Sequence, residues 1–316
     1  MRPSTSLLHL LRLAGLALAI VVTTGQAREP AATDTPFADI HLHFNWDQLE
    51  LLSAADAVQR LRQNHVVLGV VSSTPSDHAL LLAQAGKGWI IPLFSPYITA
   101  ESRNSWFRDP QVLQQARQGL AQGLYQGIGE LHLWAGMKPA ADNTILQGLF
   151  ALALEYDVPM LIHTESSSYR YFARICQQQP KLRFLWAHAG GRLGARDVKQ
   201  LMQACPNVWV ELSARDPWRY ASLVDKANKL PPDWQALIEA FPDRFMTGSD
   251  PVWNVTRTQR WDEADAGWDH LSQLINFHRH WLRQLPAEVE RKVRLTNARK
   301  FFRAAATQQA PRQHHQ

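Results

Sequence analysis

The sequence predicts an α/β protein of the (β/α)8 TIM-barrel class with a C-terminal helical extension. Three observations lead there. Eight short apolar runs recur along the chain, stretches of helical periodicity separate them, and no glycine-rich dinucleotide fingerprint follows the first run. The runs begin near Ala38, Val66, Trp89, Gly127, Pro159, Arg183, Asn207 and Arg244. The first and last starts lie 206 residues apart, about 30 residues per unit, the length a repeated β-α unit needs.

Taken in order, residues 1–27 read as a signal peptide. Arg2 and Arg12 are its positive end, residues 13–22 its apolar stretch, and Gly25 and Ala27 the small residues before a cut after Ala27. Ten apolar residues fall well short of the roughly 20 that span a bilayer, so no stable membrane insertion is expected once the leader is removed, and the mature protein is expected to be exported, periplasmic or secreted. Residues 28–36 form a polar linker and residues 37–306 the barrel. Helices are expected over 48–63, 110–122, 144–156, 169–178, 197–204, 232–240 and 270–285, with a last one over 287–306. Asp109 is the expected cap of the helix opened by Pro110. Continuous apolar strands alternating with amphipathic helices describe a parallel sheet covered by helices, and eight units favour closure. The Gln-rich residues 307–316 read as a disordered tail, His314 and His315 included.

Composition narrows the function. Hydrophobic residues at 46% and charged residues at 19% describe an ordinary globular protein. The +5 net charge is scattered, with no run of basic residues, which argues against a nucleic-acid partner and leaves a small-molecule substrate; homo-oligomerisation stays open. Cys176 and Cys205, the two cysteines, read as buried thiols, with a disulfide open to them in an oxidising compartment.

Chemistry collects at strand ends. His41 and His43, two apart on the first strand, share one face with Asp39. Glu130 ends the fourth strand, His163 the fifth, His188 the sixth and Asp250 the eighth. Barrel enzymes draw catalytic groups from these positions, whereas polar residues in an apolar core would carry a desolvation penalty. His132 shares a face with Glu130 and, like Glu165 beside His163, is expected at the rim, while His65 and His78 read as ordinary residues. Trp46, Trp134, Trp218 and Trp253 follow strand ends and suit an aromatic substrate pocket. Arg192, Arg215 and Arg219 in the same loops suit an anionic substrate, which they would grip bidentately.

These residues fall into motifs: Asp39-Ile-His41-Leu-His43, Gly127-Ile-Gly-Glu130-Leu-His132, Leu161-Ile-His163-Thr-Glu165, Trp186-Ala-His188-Ala-Gly-Gly191, Thr247-Gly-Ser-Asp250 and Leu295-Thr-Asn-Ala-Arg-Lys-Phe-Phe302. As an ordered set over about residues 37–302, they resemble the amidohydrolase superfamily, in particular its amidohydrolase 2 branch, which also contains decarboxylases. The resemblance implies a divalent metal, commonly zinc, with His41, His43 and Asp250 as ligands. With one ion, His163 joins them and His188 polarises the substrate. With two, Glu130 bridges while His163 and His188 hold the second. Glu130 has an alternative part, accepting the hydrogen bond that fixes a ligand histidine. Asp39 is expected behind the ligands. Asp250 would take the proton of the attacking water and pass it to the leaving group, with His188 aiding the developing oxyanion. The implied reaction is hydrolysis of a carbon–nitrogen or carbon–oxygen bond in an amide, cyclic amide, lactone or ester. The alternatives are metal-dependent decarboxylation of an aromatic or unsaturated carboxylate and, last, a non-catalytic exported binding protein, against which the proton-shuttling Asp250 counts.

Overall fold

Every apolar run forms a strand, beginning within one residue of its expected start. The strands are β1 (Phe37–Leu42), β2 (Val66–Ser72), β3 (Ile90–Leu93), β4 (Ile128–Leu133), β5 (Met160–Thr164), β6 (Phe184–Trp186), β7 (Val208–Glu211) and β8 (Phe245–Met246). All pairings are parallel, in ladders β1-β2-β3 and β4-β5-β6-β7-β8. Backbone hydrogen bonds join the ladders on both sides. Phe94 N donates to Gly127 O (2.9 Å) and Gly129 N to Phe94 O (2.8 Å). Ile40 N donates to Thr247 O (3.1 Å) and Asp250 N to His41 O (2.8 Å). The second seam needs Gly248, where a Cβ would lie 2.7 Å from the Cβ of His41 and 2.9 Å from its backbone nitrogen.

The computed structural model describes residues 35–45, 48–99, 101–134, 138–164, 167–253 and 265–306. The chain divides into Met1–Pro30 and Ala31–Gln316. The expected signal peptide, nearly all of the linker and the 307–316 tail lie outside the described residues. No helix among those described is long and apolar enough to cross a membrane.

The helices are α1 (Gln48–Leu51), α2 (Ala54–Gln63), α3 (Ser76–Gly86), α4 (Gln111–Ala121), α5 (Thr144–Glu155), α6 (Arg170–Gln178), α7 (Ala195–Ala204), α8 (Pro232–Ala240), α9 (Leu271–Leu282), α10 (Ala287–Arg291) and α11 (Asn297–Ala306). The Asp109 carboxylate accepts from Gln111 N at 2.9 Å, the expected start of α4. Three expectations are corrected. The helix over 48–63 breaks because the Ser53 hydroxyl accepts from Asp56 N and starts α2 afresh. Between β2 and β3 the chain forms α3, whose apolar block Ala79–Leu82 hides its period. Cys176 and Cys205 are not thiols: they form a disulfide, with Cα atoms 6.0 Å apart, enclosing β6 and α7.

The extension seals the barrel floor. A π turn over Lys292–Thr296 separates α10 from α11, and Asn297 Nδ2 donates to Pro242 O (2.8 Å) and Phe245 O (2.9 Å) before and at the start of β8. Leu295, Phe301 and Phe302 cluster with Ile40, Val70, Leu161 and Met246. On β5 Leu161 precedes His163 by two residues, so on that strand the apolar layer lies beneath the polar end.

Candidate metal centre

His41 and His43 are aimed by partners behind them. His41 Nδ1 is 2.8 Å from Glu211 Oε1, and His43 Nδ1 is 2.8 Å from Ser72 O. A carboxylate and a carbonyl only accept, so each Nδ1 carries a proton and each Nε2 is left to take a metal cation or a second proton. Those Nε2 atoms are 3.0 Å apart. Glu130 Oε2 stands 3.5 and 3.3 Å from them, and Asp250 Oδ1 4.0 and 3.4 Å. Two lone pairs and two carboxylate oxygens converging in a buried space repel one another unless positive charge sits between them. The donor set fits a divalent cation.

The ionisation of the groups agrees. Burial pushes the His41 imidazole down, but Glu211 and Glu130 more than offset it and hold the group well above its ordinary value. His43 is likewise raised against burial, chiefly through Glu130. Burial pushes Glu211 up, yet His41 and then His188 bring it down to about 2. Glu130, opposed by burial, falls well below its ordinary value through the charge of His41 and the hydrogen bonds of His163 and His188. The field that draws a proton to His41 equally draws a metal ion.

A second pair lies across Glu130. Its Oε1 is 2.8 Å from His163 Nδ1 and 3.4 Å from His188 Nε2. His188 Nδ1 faces Ser213 Oγ (2.9 Å) and Ser213 O (3.2 Å), leaving Nε2 directed at Glu130. Backbone geometry contributes. His188 (φ 55°) and Asp250 (φ 49°) are left-handed, a conformation costing about 1–3 kcal/mol per residue when unsupported. Each is held from within the site: His188 N donates to Glu211 Oε1 (2.7 Å), and Asp250 N to His41 O (2.8 Å).

The structure thus brings His41, His43, Glu130, His163, His188 and Asp250 to one buried place at the mouth. Asp39 sits behind them, its Oδ1 accepting from Ser249 N at 2.8 Å, and burial raises it to about 6 despite that bond. His132 is drawn in further than a rim position: it is buried, with Nε2 3.7 Å from Glu130 Oε2. Its Nδ1 is 2.7 Å from the Tyr97 hydroxyl, and Arg103 Nη2 donates to its Nε2 at 3.3 Å. Burial is the main cause holding His132 neutral, well below its ordinary value.

The expected substrate contacts divide. Trp253 lines the cavity, its ring 5.7 Å from that of Tyr220. Trp134 is 39% exposed at the rim and stacks on His163. Trp46 and Glu165 lie outside the described residues. Trp218 stands apart, against Phe277. The arginine clamp is corrected. Arg192 is exposed and absent from the cavity wall. Arg215 is 1% exposed; it donates to Gly191 O and Leu193 O (3.0 Å) and lies over the Trp234 ring, bracing the turn that follows His188. Arg219 is bound to Asp216 and the Asp250 segment. Sequence reasoning missed Glu211, Tyr97, Arg103 and Tyr220. Glu211 carried the same signal as Glu130, a carboxylate ending an apolar strand.

A family model described as amidohydrolase matches residues 109–304, more than half of the chain. No curated protein matches. Solved structures with the same fold include an amidohydrolase of Burkholderia multivorans with bound zinc, at 14% identity over 85% of this chain and 99% of that one (TM-score 0.54). A mutant PTE-like lactonase of Deinococcus radiodurans is similar at 16% identity, covering 86% and 97% (TM-score 0.55). A 5-carboxyvanillate decarboxylase of Novosphingobium aromaticivorans, complexed with manganese, is similar at 12% identity, covering 85% and 96% (TM-score 0.51).

Proposed function

The chain belongs to the amidohydrolase family, and from that premise we propose that it hydrolyses a carbon–nitrogen or carbon–oxygen bond of a small anionic organic substrate, with two zinc ions as cofactor. The observation carrying this reading is the division of Glu130, whose Oε2 faces His41 and His43 while Oε1 faces His163 and His188. His41, His43 and Asp250 would hold one ion, His163 and His188 the other, and Glu130 would bridge. Divalent zinc, when bound, supplies Lewis acidity and lowers the pKa of water to about 7.

The chain's own residues supply the rest. Asp250 accepts the proton of the attacking water and returns it to the leaving group, its Oδ1 turned towards the histidines. His188, fixed through Ser213, keeps Nε2 directed into the site. Trp253 and Tyr220 form an apolar wall, Trp134 stands at the rim, and Arg103 takes the anion-binding part first expected of Arg192 and Arg215.

Metal analysis of the wild type and Glu130→Ala tests the reading. Two ions should fall to one; a single ion in both would remove the bridge. Heavy-oxygen water should label the product, whereas release of carbon dioxide without labelling would replace the hydrolase with the decarboxylase. We also propose that the protein is exported, which the leader pattern and the Cys176–Cys205 disulfide support. An exported form beginning at Arg28 is expected; one retaining Met1 would contradict it.

A further inference from the structure

The loop after β7 sends a guanidinium into the space behind Asp250. The Arg219 side chain is 2% exposed. Its Nε and Nη2 donate to Asp216 Oδ2 at 2.7 and 2.5 Å, and Nη2 also donates to Ser249 O at 2.7 Å. Nη1 donates to Asp250 O and lies 3.6 Å from Asp250 Oδ2. Asp216 is fixed in turn, accepting from Trp218 N at 3.1 Å. One rigid fork therefore grips two consecutive carbonyls of a left-handed turn and the outer oxygen of the carboxylate, leaving Oδ1 for the histidines.

We propose that Arg219 is the positioning residue for Asp250: it holds the carboxylate so that one oxygen is committed to the guanidinium side and the other to the pair of imidazoles. The residue is thereby assigned to the shape of the metal centre and withdrawn from substrate recognition. The proposal rests on Asp250 being a ligand, as set out above, and deepens that reading. A lysine, with a single compact charge, cannot serve Asp216, both carbonyls and the carboxylate together.

The test is a zinc titration against a competing chelator, with zinc alone as the probe, on Arg219→Met, Asp250→Ala and the double variant. Loss of a residue that orients a ligand lowers metal affinity about 10–100-fold. Arg219→Met should show a loss in that range, and the same change in the Asp250→Ala background should leave affinity within about twofold. Arg219→Lys, which keeps a charge beside Asp216, is the second variant should Arg219→Met not fold, and should lose about tenfold while melting near the wild-type temperature. Wild-type affinity in a folded Arg219 variant overturns the proposal, as does an equal loss with and without Asp250. Wild-type affinity in Asp250→Ala would instead overturn the ligand reading beneath it.

Discussion

His41 and His278 are equally buried, each 1% exposed, yet they sit in opposite fields. His278, on α9, is packed among Phe37, Phe277 and Trp281, and Trp281 Nε1 donates to its Nδ1 at 3.2 Å. Burial dominates there and takes it down to about 4, against a weaker pull from Asp216. At His41 the same burial is overcome by Glu211 and Glu130. The two are linked through Gly248, whose backbone hydrogen-bonds His278 and whose missing side chain lets β8 approach His41. The comparison teaches that burial by itself makes an imidazole a neutral packing group. What makes one a candidate ligand is the carboxylates gathered around it.

Three experiments would break or sharpen that contrast. The largest effect is expected at the mouth: Asp250→Asn should lower turnover of a hydrolysed substrate about 10²–10⁴-fold while melting near the wild type. Undiminished turnover would remove the proton shuttle. On the wall, the effect is on stability. His278 is neutral in the fold with a value near 4 against 6.5 in the open chain, so its contribution is complete above pH 6.5 and is lost as pH falls towards 4. Chemical unfolding at pH 7 and pH 4.5 should show His278→Phe losing less stability than wild type, by up to about 3 kcal/mol; equal losses would refute it. The smallest effect should come from Glu211→Gln, which makes the surroundings of His41 more like those of His278. Zinc affinity should drop about 10–100-fold, and an unchanged value would mean that Glu211 does not set the His41 tautomer.

The polar strand ends were legible because apolar runs of fixed spacing make a histidine or carboxylate at the end of each conspicuous. Which partner aims which group was not. Glu211 meets His41 across 170 residues, and Ser72 meets His43 across 29, distances over which local pattern carries no information. The arginines failed for a related reason. Arg215 and Arg219 follow a strand end as a substrate clamp would, but whether a long side chain faces outward or folds back onto carbonyls depends on the path of its loop. The disulfide needed a separation between Cα atoms that only the packing of consecutive units supplies.

The bridge from Cys176 to Cys205 ties the β6 unit, with His188 on it, into a covalent ring. A ring of that size restricts the unfolded chain by about 3–4 kcal/mol on chain-entropy grounds. Batches kept oxidised and batches recovered from a reducing cytosol would then share one barrel but differ in resistance to heat, so the redox history of a preparation becomes a variable to control before any two melting curves are compared.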